Sequence, residues 1–310
     1  MIPADFKSKM QTMYGESGAG WISNVEELLL SLKNRFHLTY GEPYSLSYNF
    51  VVPVQIGNER DAVLKVGYPN NDFSNEFHAL RDFQGKGMVE VIDFHKEEGW
   101  ILLDRLTPGT SLHSVENEEE VLNVFSLVAD RLWHKPVTQH AYPTVQSWSK
   151  GIGRLRERFK GGSGPIPEEL VLKAEDLFPE LLGTSTDLFL LHGDLHHGNI
   201  LYSESSGWTA IDPKGIIGER EYDCIQFMLN EWKKWEVPLE LLRYRTRTIA
   251  SLLSLSYGRL IRYGFCHSIL SACWSVEDGW DGWDGWDGWK TGVSLAMMFD
   301  ELMRENELTL

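Results

Sequence analysis

The segment Leu190-Leu191-His192-Gly193-Asp194-Leu195-His196-His197-Gly198-Asn199-Ile200-Leu201 sets an Asp and an Asn five positions apart in a polar loop between apolar runs. Thirteen residues after Asn199 comes Asp212, in Ile211-Asp212-Pro213. Phosphoryl transfer needs this ordered set. One carboxylate, Asp194, orients the attacking hydroxyl and accepts its proton, while an amide oxygen and a second carboxylate, Asn199 and Asp212, hold Mg²⁺ against nucleotide phosphates. His192, Asp194 and Asn199 are also turn formers that satisfy neighbouring backbone groups. A single one of them reads that way; the ordered set in its loop reads as chemistry.

Working upstream, Lys65 is a lone cation in the apolar run Ala62-Val63-Leu64-Lys65-Val66, where an unpaired ammonium is costly. Glu76 lies eleven residues later, in a helical pattern striped by Phe73, Phe77, Leu80 and Phe83. A Lys–Glu pair joining strand to helix positions the α- and β-phosphates of a nucleotide. Taken singly, Lys65 reads as a snorkelling edge-strand residue and Glu76 as a solvated helical charge. Followed by Asp194, Asn199 and Asp212 in the order that protein kinases use around H-R-D-x-x-x-x-N, they read as an active site.

The surrounding chain is α+β. Strand-like runs cover 38–56, with a break at Ser45-Leu46-Ser47, then 62–66, 88–95 and 100–106, with one helix inserted near 73–83. From there the pattern is helical. Asn117 with Glu120 resembles a capping box, and Val121, Val124, Phe125, Val128 and Leu132 line the helix it opens. Further helical patterns fall around 167–182, 222–235, 237–263 and 291–307, and short strand-like runs at Leu188–Leu191 and Thr209–Ile211 flank the loop. These patterns divide the chain into a small β-rich lobe, residues 1–106, and a larger, mainly helical lobe, residues 107–310.

The 310 residues carry 29 Lys+Arg against 45 Asp+Glu, and 29 − 45 gives a net charge of −16. That field repels phosphate, which excludes a nucleic-acid binder working through a basic surface, and it suits a cationic substrate. Three cysteines, Cys224, Cys266 and Cys273, form neither a C-x-x-C pair nor an even framework, so neither a disulfide scaffold nor a zinc site is expected. The adjacent pair His196-His197 points apart and adds no zinc site. The first twenty residues lack the apolar core of a signal peptide, and no run approaches the ~20 apolar residues of a membrane span. A soluble, cytoplasmic protein without a membrane partner is expected. Residues 278–289 spell Asp-Gly-Trp four times, which places a Trp at every third position. That period suits neither strand nor α-helix and reads as a tandem duplication in an exposed loop, or else as an aromatic, acidic surface for a cation.

HGDLHHGNIL, AIDPKGIIGE and the following EYD, with AVLKVGYP, LLDRLTPGTSL and LSACWSVEDG, resemble the aminoglycoside/hydroxyurea antibiotic resistance kinases, typified by streptomycin 6-phosphotransferases. The resemblance runs from about residue 45 to residue 280. It implies a bilobal protein-kinase-like fold that uses ATP and Mg²⁺. Carried over by position, Asp194 is the catalytic base, Asn199 and Asp212 hold Mg²⁺, and Lys65 meets the ATP phosphates under the control of Glu76. Ser47 adds phosphate contacts, and the connector Leu103–Leu106, with Asp104 and Leu106, meets adenine. His192, His196 and Asp223 support the loop. Glu219, Glu221, Glu231, Glu277 and Asp278 are the acids that could face a cationic, aminoglycoside-type acceptor. The loop around Ser47 lacks the glycines of a protein kinase, which argues for a small-molecule kinase. Acceptors left open are a streptomycin-like aminoglycoside, hydroxyurea and an ordinary hydroxyl metabolite, beside a kinase-like binding module with little turnover.

Overall fold

The computed structural model describes residues 2–46, 48–57, 59–137, 139–230, 238–277 and 288–308. They form two compact units, Met1–Thr110 with Leu201–Asp212 and Ser111–Ile200 with Pro213–Leu310. Beside the division drawn from sequence at 106/107, the first unit ends at Thr110 and takes back residues 201–212. Backbone bonds hold that return: Val89 N–H donates to the Ala210 carbonyl (2.9 Å) and Ala210 N–H to that of Gly87 (2.8 Å). Pairing between such distant stretches leaves no local trace in sequence.

The first unit runs α1 (Ala4–Phe36), β1 (Leu38–Tyr40), β2 (Asn49–Ile56), β3 (Arg60–Gly67), α2 (Asn71–Asp82), β4 (Val91–His95), β5 (Trp100–Asp104) and β6 (Pro108–Ser111). Five strands make an antiparallel sheet in the order β1-β2-β3-β5-β4. Strand alternation sends Phe50, Val52 and Val54 of β2 and Ala62, Leu64 and Val66 of β3 into one core. Phe6, Met10, Trp21, Ile22, Val25, Leu29 and Leu32 of α1 complete it. Each fully buried large side chain there stabilises the fold by about 1.5–3 kcal/mol. Lys65 falls on the odd positions of β3 and so points to the other face, where α2 lies. Asn70 caps α2, its side chain accepting the Phe73 N–H at 2.9 Å.

The expectation of one helix in this region is corrected by α1, a second and longer one. Its apolar residues recur at helical spacing, but Gly15 (φ 60°, ψ −136°) breaks the helical course and splits the stripe into two short segments.

The second unit holds α3 (Glu118–Leu132), α4 (Val145–Arg158), α5 (Glu168–Gly183) and β7 (Phe189–Leu191). After β8 (Ile200–Ser203) and β9 (Gly207–Ala210) it continues through β10 (Ile216–Gly218), α6 (Arg220–Asp223), α7 (Ile225–Met228), α8 (Pro238–Leu252), α9 (Tyr257–Glu277) and α10 (Trp289–Glu307). β6, β8 and β9 form a three-stranded sheet, and β10 pairs antiparallel with β7. The central helix is α9, which packs against α4, α5, α6, α7, α8 and α10 and buries Leu260, Tyr263, Phe265, Ile269 and Leu270.

Asn117 caps α3 by accepting the Glu120 N–H at 3.0 Å. The single helical pattern read over 237–263 is instead two helices, broken where Ser254 turns left-handed (φ 52°). The pattern at 222–235 resolves into the single turns α6 and α7; residues 231–237 lie outside the described residues. So does the Asp-Gly-Trp repeat except Gly288 and Trp289, the start of α10. The sequence reading passed over α4, which opens on a reciprocal cap: Ser147 N–H donates to Thr144 Oγ1 and Thr144 N–H to Ser147 Oγ, both at 2.9 Å. Cys224, Cys266 and Cys273 are buried thiols, and burial pushes the Cys273 thiol up to about 12. Among the described residues no helix is long and apolar enough to cross a membrane.

Candidate active site

In the first unit the ammonium of Lys65 is 5% exposed and lies between two carboxylates, Glu76 at 2.5 Å and Asp212. Burial alone lowers a lysine pKa; here the charges of Glu76 and Asp212, and the hydrogen bonds to them, more than reverse it and hold the ammonium charged. Glu76 is 6% exposed, so its charge is compensated by Lys65 inside the unit rather than by water. Asp212 differs, with its side chain 44% exposed. It follows the Ala210 backbone pairing by two residues and sits at φ 62°, a left-handed conformation that Asp tolerates better than most residues. A non-glycine residue kept in that region marks a position that the surroundings over-determine.

Asp104, at the end of β5, accepts from Arg60 (3.0 Å) and its backbone N–H reaches the Glu90 carbonyl (2.9 Å). Leu106 follows, half-buried. Ser47 lies outside the described residues.

In the second unit the loop carrying Asp194 hangs from a buried carboxylate. Asp223, 2% exposed, accepts the backbone N–H groups of His192 (3.0 Å) and Gly193 (2.7 Å) and the indole N–H of Trp133 (2.9 Å). Burial raises the Asp223 pKa, the three N–H donors pull it back, and the nearby Asp194 charge raises it. Trp133 was not among the residues singled out from sequence. It ends the α3 pattern, and only the fold brings it to Asp223.

Gly193 must be glycine. Its φ is +80°, and a Cβ there would meet Ile216 at 2.9 Å and Lys214 at 3.1 Å. Pairing of β7 with β10 sets this turn, and the His192 carbonyl accepts the N–H groups of Lys214 (2.8 Å) and Gly215 (3.2 Å). His192 is fully buried, and its Nδ1 accepts the Asp194 N–H at 3.2 Å. Asn199 donates its side-chain amide to the Asp194 carbonyl at 2.9 Å, which spends the donor end on the loop and turns the acceptor Oδ1 to other use. His196 Nδ1 accepts the Gly198 N–H at 3.0 Å, so this ring acts as a local cap. His197 lies flat on Phe227 at 4.2 Å, and its carbonyl accepts from Ser111.

The acids read as substrate-facing divide. Glu219 is buried and accepts from Tyr263 Oη (2.6 Å) and from Arg259, which commits its carboxylate to the helical core. Glu221 accepts the Ser256 N–H (3.1 Å), and Glu277 is forked by Arg154 at 2.9 and 3.1 Å. Glu231 and Asp278 lie outside the described residues.

Among the described residues no group of three or more His, Cys, Asp and Glu side chains is built to cage a metal. Mg²⁺ takes one or two carboxylates and completes its shell with water and phosphate oxygens. Asp212 and the Oδ1 of Asn199 are hard oxygen donors of that kind.

A five-stranded antiparallel unit with a buried Lys–Glu pair, and a helical unit with a braced Asp-x₄-Asn loop, define a kinase-like phosphotransferase. An aminoglycoside phosphotransferase solved with ADP and hygromycin B has the same fold, with a TM-score of 0.61 and 16% identity over 89% of this chain and 97% of that one. The chain belongs to the aminoglycoside/hydroxyurea antibiotic resistance kinase family, whose pattern matches residues 37–279. It is 28% identical to the streptomycin 6-kinase of Streptomyces griseus over 90% of this chain and 92% of that protein. It is 25% identical to the hydroxyurea phosphotransferase of Kitasatospora aureofaciens over 90% of this chain and 81% of that one.

Proposed function

We propose that the protein transfers the γ-phosphoryl group of ATP to a hydroxyl of a cationic aminoglycoside-type antibiotic, with streptomycin the leading acceptor. The observation that carries this reading is the buried Lys65 ammonium between Glu76 and Asp212, a cation kept charged inside the fold. In this reading Lys65 moves its hydrogen bonds from Asp212 onto the α- and β-phosphates, while Glu76 keeps the ammonium in place. Asp212 and Asn199 would hold Mg²⁺, which neutralises phosphate charge when bound. Asp194 orients the acceptor hydroxyl and takes its proton as the new O–P bond forms and the bond from Pγ to the β-phosphate oxygen breaks, releasing ADP. Asp223 keeps the Asp194 loop in one geometry, and positioning of this kind is the main contribution that the chain makes to such a reaction.

Support for a cationic acceptor comes from the net charge of −16 and the likeness to a streptomycin 6-kinase. The comparable likeness to a hydroxyurea phosphotransferase makes hydroxyurea the second reading. ADP release by the purified protein with Mg·ATP, measured with streptomycin, other aminoglycosides, hydroxyurea and common hydroxyl metabolites, separates the two. Turnover that depends on streptomycin is expected. Turnover with hydroxyurea alone would replace the first reading by the second, and turnover with neither would remove both.

A further inference from the structure

Four aromatic side chains of the second unit close a ring beside the Asp194 loop. Trp148 of α4 meets Trp274 of α9 edge to face at 5.6 Å, and Trp274 meets His267, one helical face along, at 5.7 Å. His267 meets Tyr222 at 5.2 Å, and Tyr222 returns to Trp148 at 6.3 Å. The lower pair is buried: Tyr222 is 3% exposed, His267 is 1% exposed, and the hydroxyl of one bonds the Nδ1 of the other at 2.7 Å. The upper pair, Trp148 and Trp274, is only half-buried.

The position of this pair ties it to the chemistry. A Cβ built on Gly193, the residue before Asp194, would stand 3.5 Å from the far edge of the Trp148 ring. The indole of Trp148 therefore flanks the turn that presents the candidate base. Trp274 is seated against α4 at Gly151, where a Cβ would come within 3.0 Å of its Nε1. One turn beyond Trp274, Glu277 already holds a guanidinium in a two-bonded fork, that of Arg154. Both indoles keep part of their surface in solvent next to the loop. Their faces attract cations, and their flat area suits a ring.

We propose that Trp148 and Trp274 form the wall against which a ring-bearing, guanidinium- or ammonium-substituted acceptor lies while its hydroxyl meets Asp194, with the Tyr222–His267 pair holding the two indoles in register. This rests on the function proposed above and names the specificity element within it. The wall selects for a charged ring over a small neutral hydroxyl compound, because only the former gains both cation–π attraction and stacking area.

Steady-state kinetics of Trp148→Leu and Trp274→Leu test it, with streptomycin and Mg·ATP varied in turn. Each variant is expected to raise KM for streptomycin on the order of tenfold, with kcat changed less than about threefold and KM for ATP unchanged. Trp→Phe at either position restores most of the affinity by returning an aromatic face. If the unmodified protein also turns over hydroxyurea, that KM stays put in both Leu variants.

A streptomycin KM left unchanged in both Leu variants would overturn the wall while leaving the kinase reading intact. Equal losses for streptomycin, hydroxyurea and ATP would also overturn it, since they mark a collapsed loop. An unmodified protein that phosphorylates no cationic acceptor removes the aminoglycoside reading and the wall together, whether or not it turns over hydroxyurea.

Discussion

The candidate residues of the two units are held by different forces. In the first unit Lys65, Glu76 and Asp212 are joined by charge, through side chains alone. In the second, the backbone N–H groups of His192 and Gly193, just before Asp194, end on one buried carboxylate, Asp223, and the Asn199 amide donates to the Asp194 carbonyl. Ion pairs can exchange partners at low cost when a triphosphate with its own charges arrives. A loop fixed by two backbone N–H groups on a buried acceptor, itself held by the Trp133 indole, has no comparable alternative. The half proposed to take the nucleotide is thus built to rearrange, and the half proposed to present the base is built to stay still.

That contrast is tested most severely at the base. Asp194→Ala is expected to lower kcat by about 10³–10⁴-fold, toward the upper end for a positioned proton acceptor, with ATP affinity nearly unchanged. Titration of ATP against the variant, next to its turnover, checks both parts. Retained turnover would end the assignment of Asp194.

The supports come next, and here the two halves should diverge. Asp223→Ala leaves the N–H groups of His192, Gly193 and Trp133 without their acceptor. At about 1–3 kcal/mol per unsatisfied buried donor, and with water replacing some of the loss, a cost of about 4 kcal/mol is expected in denaturant unfolding, along with most of kcat. Lys65→Met takes its ammonium from the buried Glu76 carboxylate, while the half-exposed Asp212 rehydrates. About 3 kcal/mol is expected, together with a raised KM for ATP. A Lys65→Met variant that loses kcat as Asp223→Ala does, with KM for ATP unchanged, would dissolve the distinction between the charge-held and the backbone-held groups.

The same contrast explains which parts of the site could be read from sequence. Asp194 and Asn199 share one loop, and Lys65 and Glu76 share a strand–helix step, so fixed spacings carry both pairs. Asp223 and Glu219 are acids four residues apart in one segment, and spacing cannot tell them apart. The resemblance sets Asp223 under the Asp194 loop, and the fold supplies the donors, His192 and Gly193 N–H for Asp223 and Arg259 and Tyr263 for Glu219. The first-unit helix α1 was overlooked because Gly15 divides its stripe. Trp148 and Trp274 were overlooked as a pair because they are brought together by the packing of α4 on α9.

The smallest expected effect belongs to the ring of aromatics and is read in pH. Burial pushes His267 down to about 4 from an ordinary 6.5, so it is neutral in the fold where an unfolded chain would begin to protonate. Above pH 6.5 both states are neutral and the residue adds no pH dependence. As pH falls through 6.5 the unfolded state binds the proton and the folded state does not, so stability is lost until His267 itself titrates near pH 4. The loss amounts to about 1.4 kcal/mol at about pH 5.5 and about 3 kcal/mol near pH 4. His267→Gln keeps a polar partner for Tyr222 and removes the titration. Unfolding free energies of the two proteins, compared between about pH 7 and about pH 5.5, should therefore converge by roughly 1.2 kcal/mol as the pH drops. A constant gap would mean that the imidazole reaches water or a carboxylate, and that the floor beneath Trp274 is not the dry, neutral surface that a wall for cations requires.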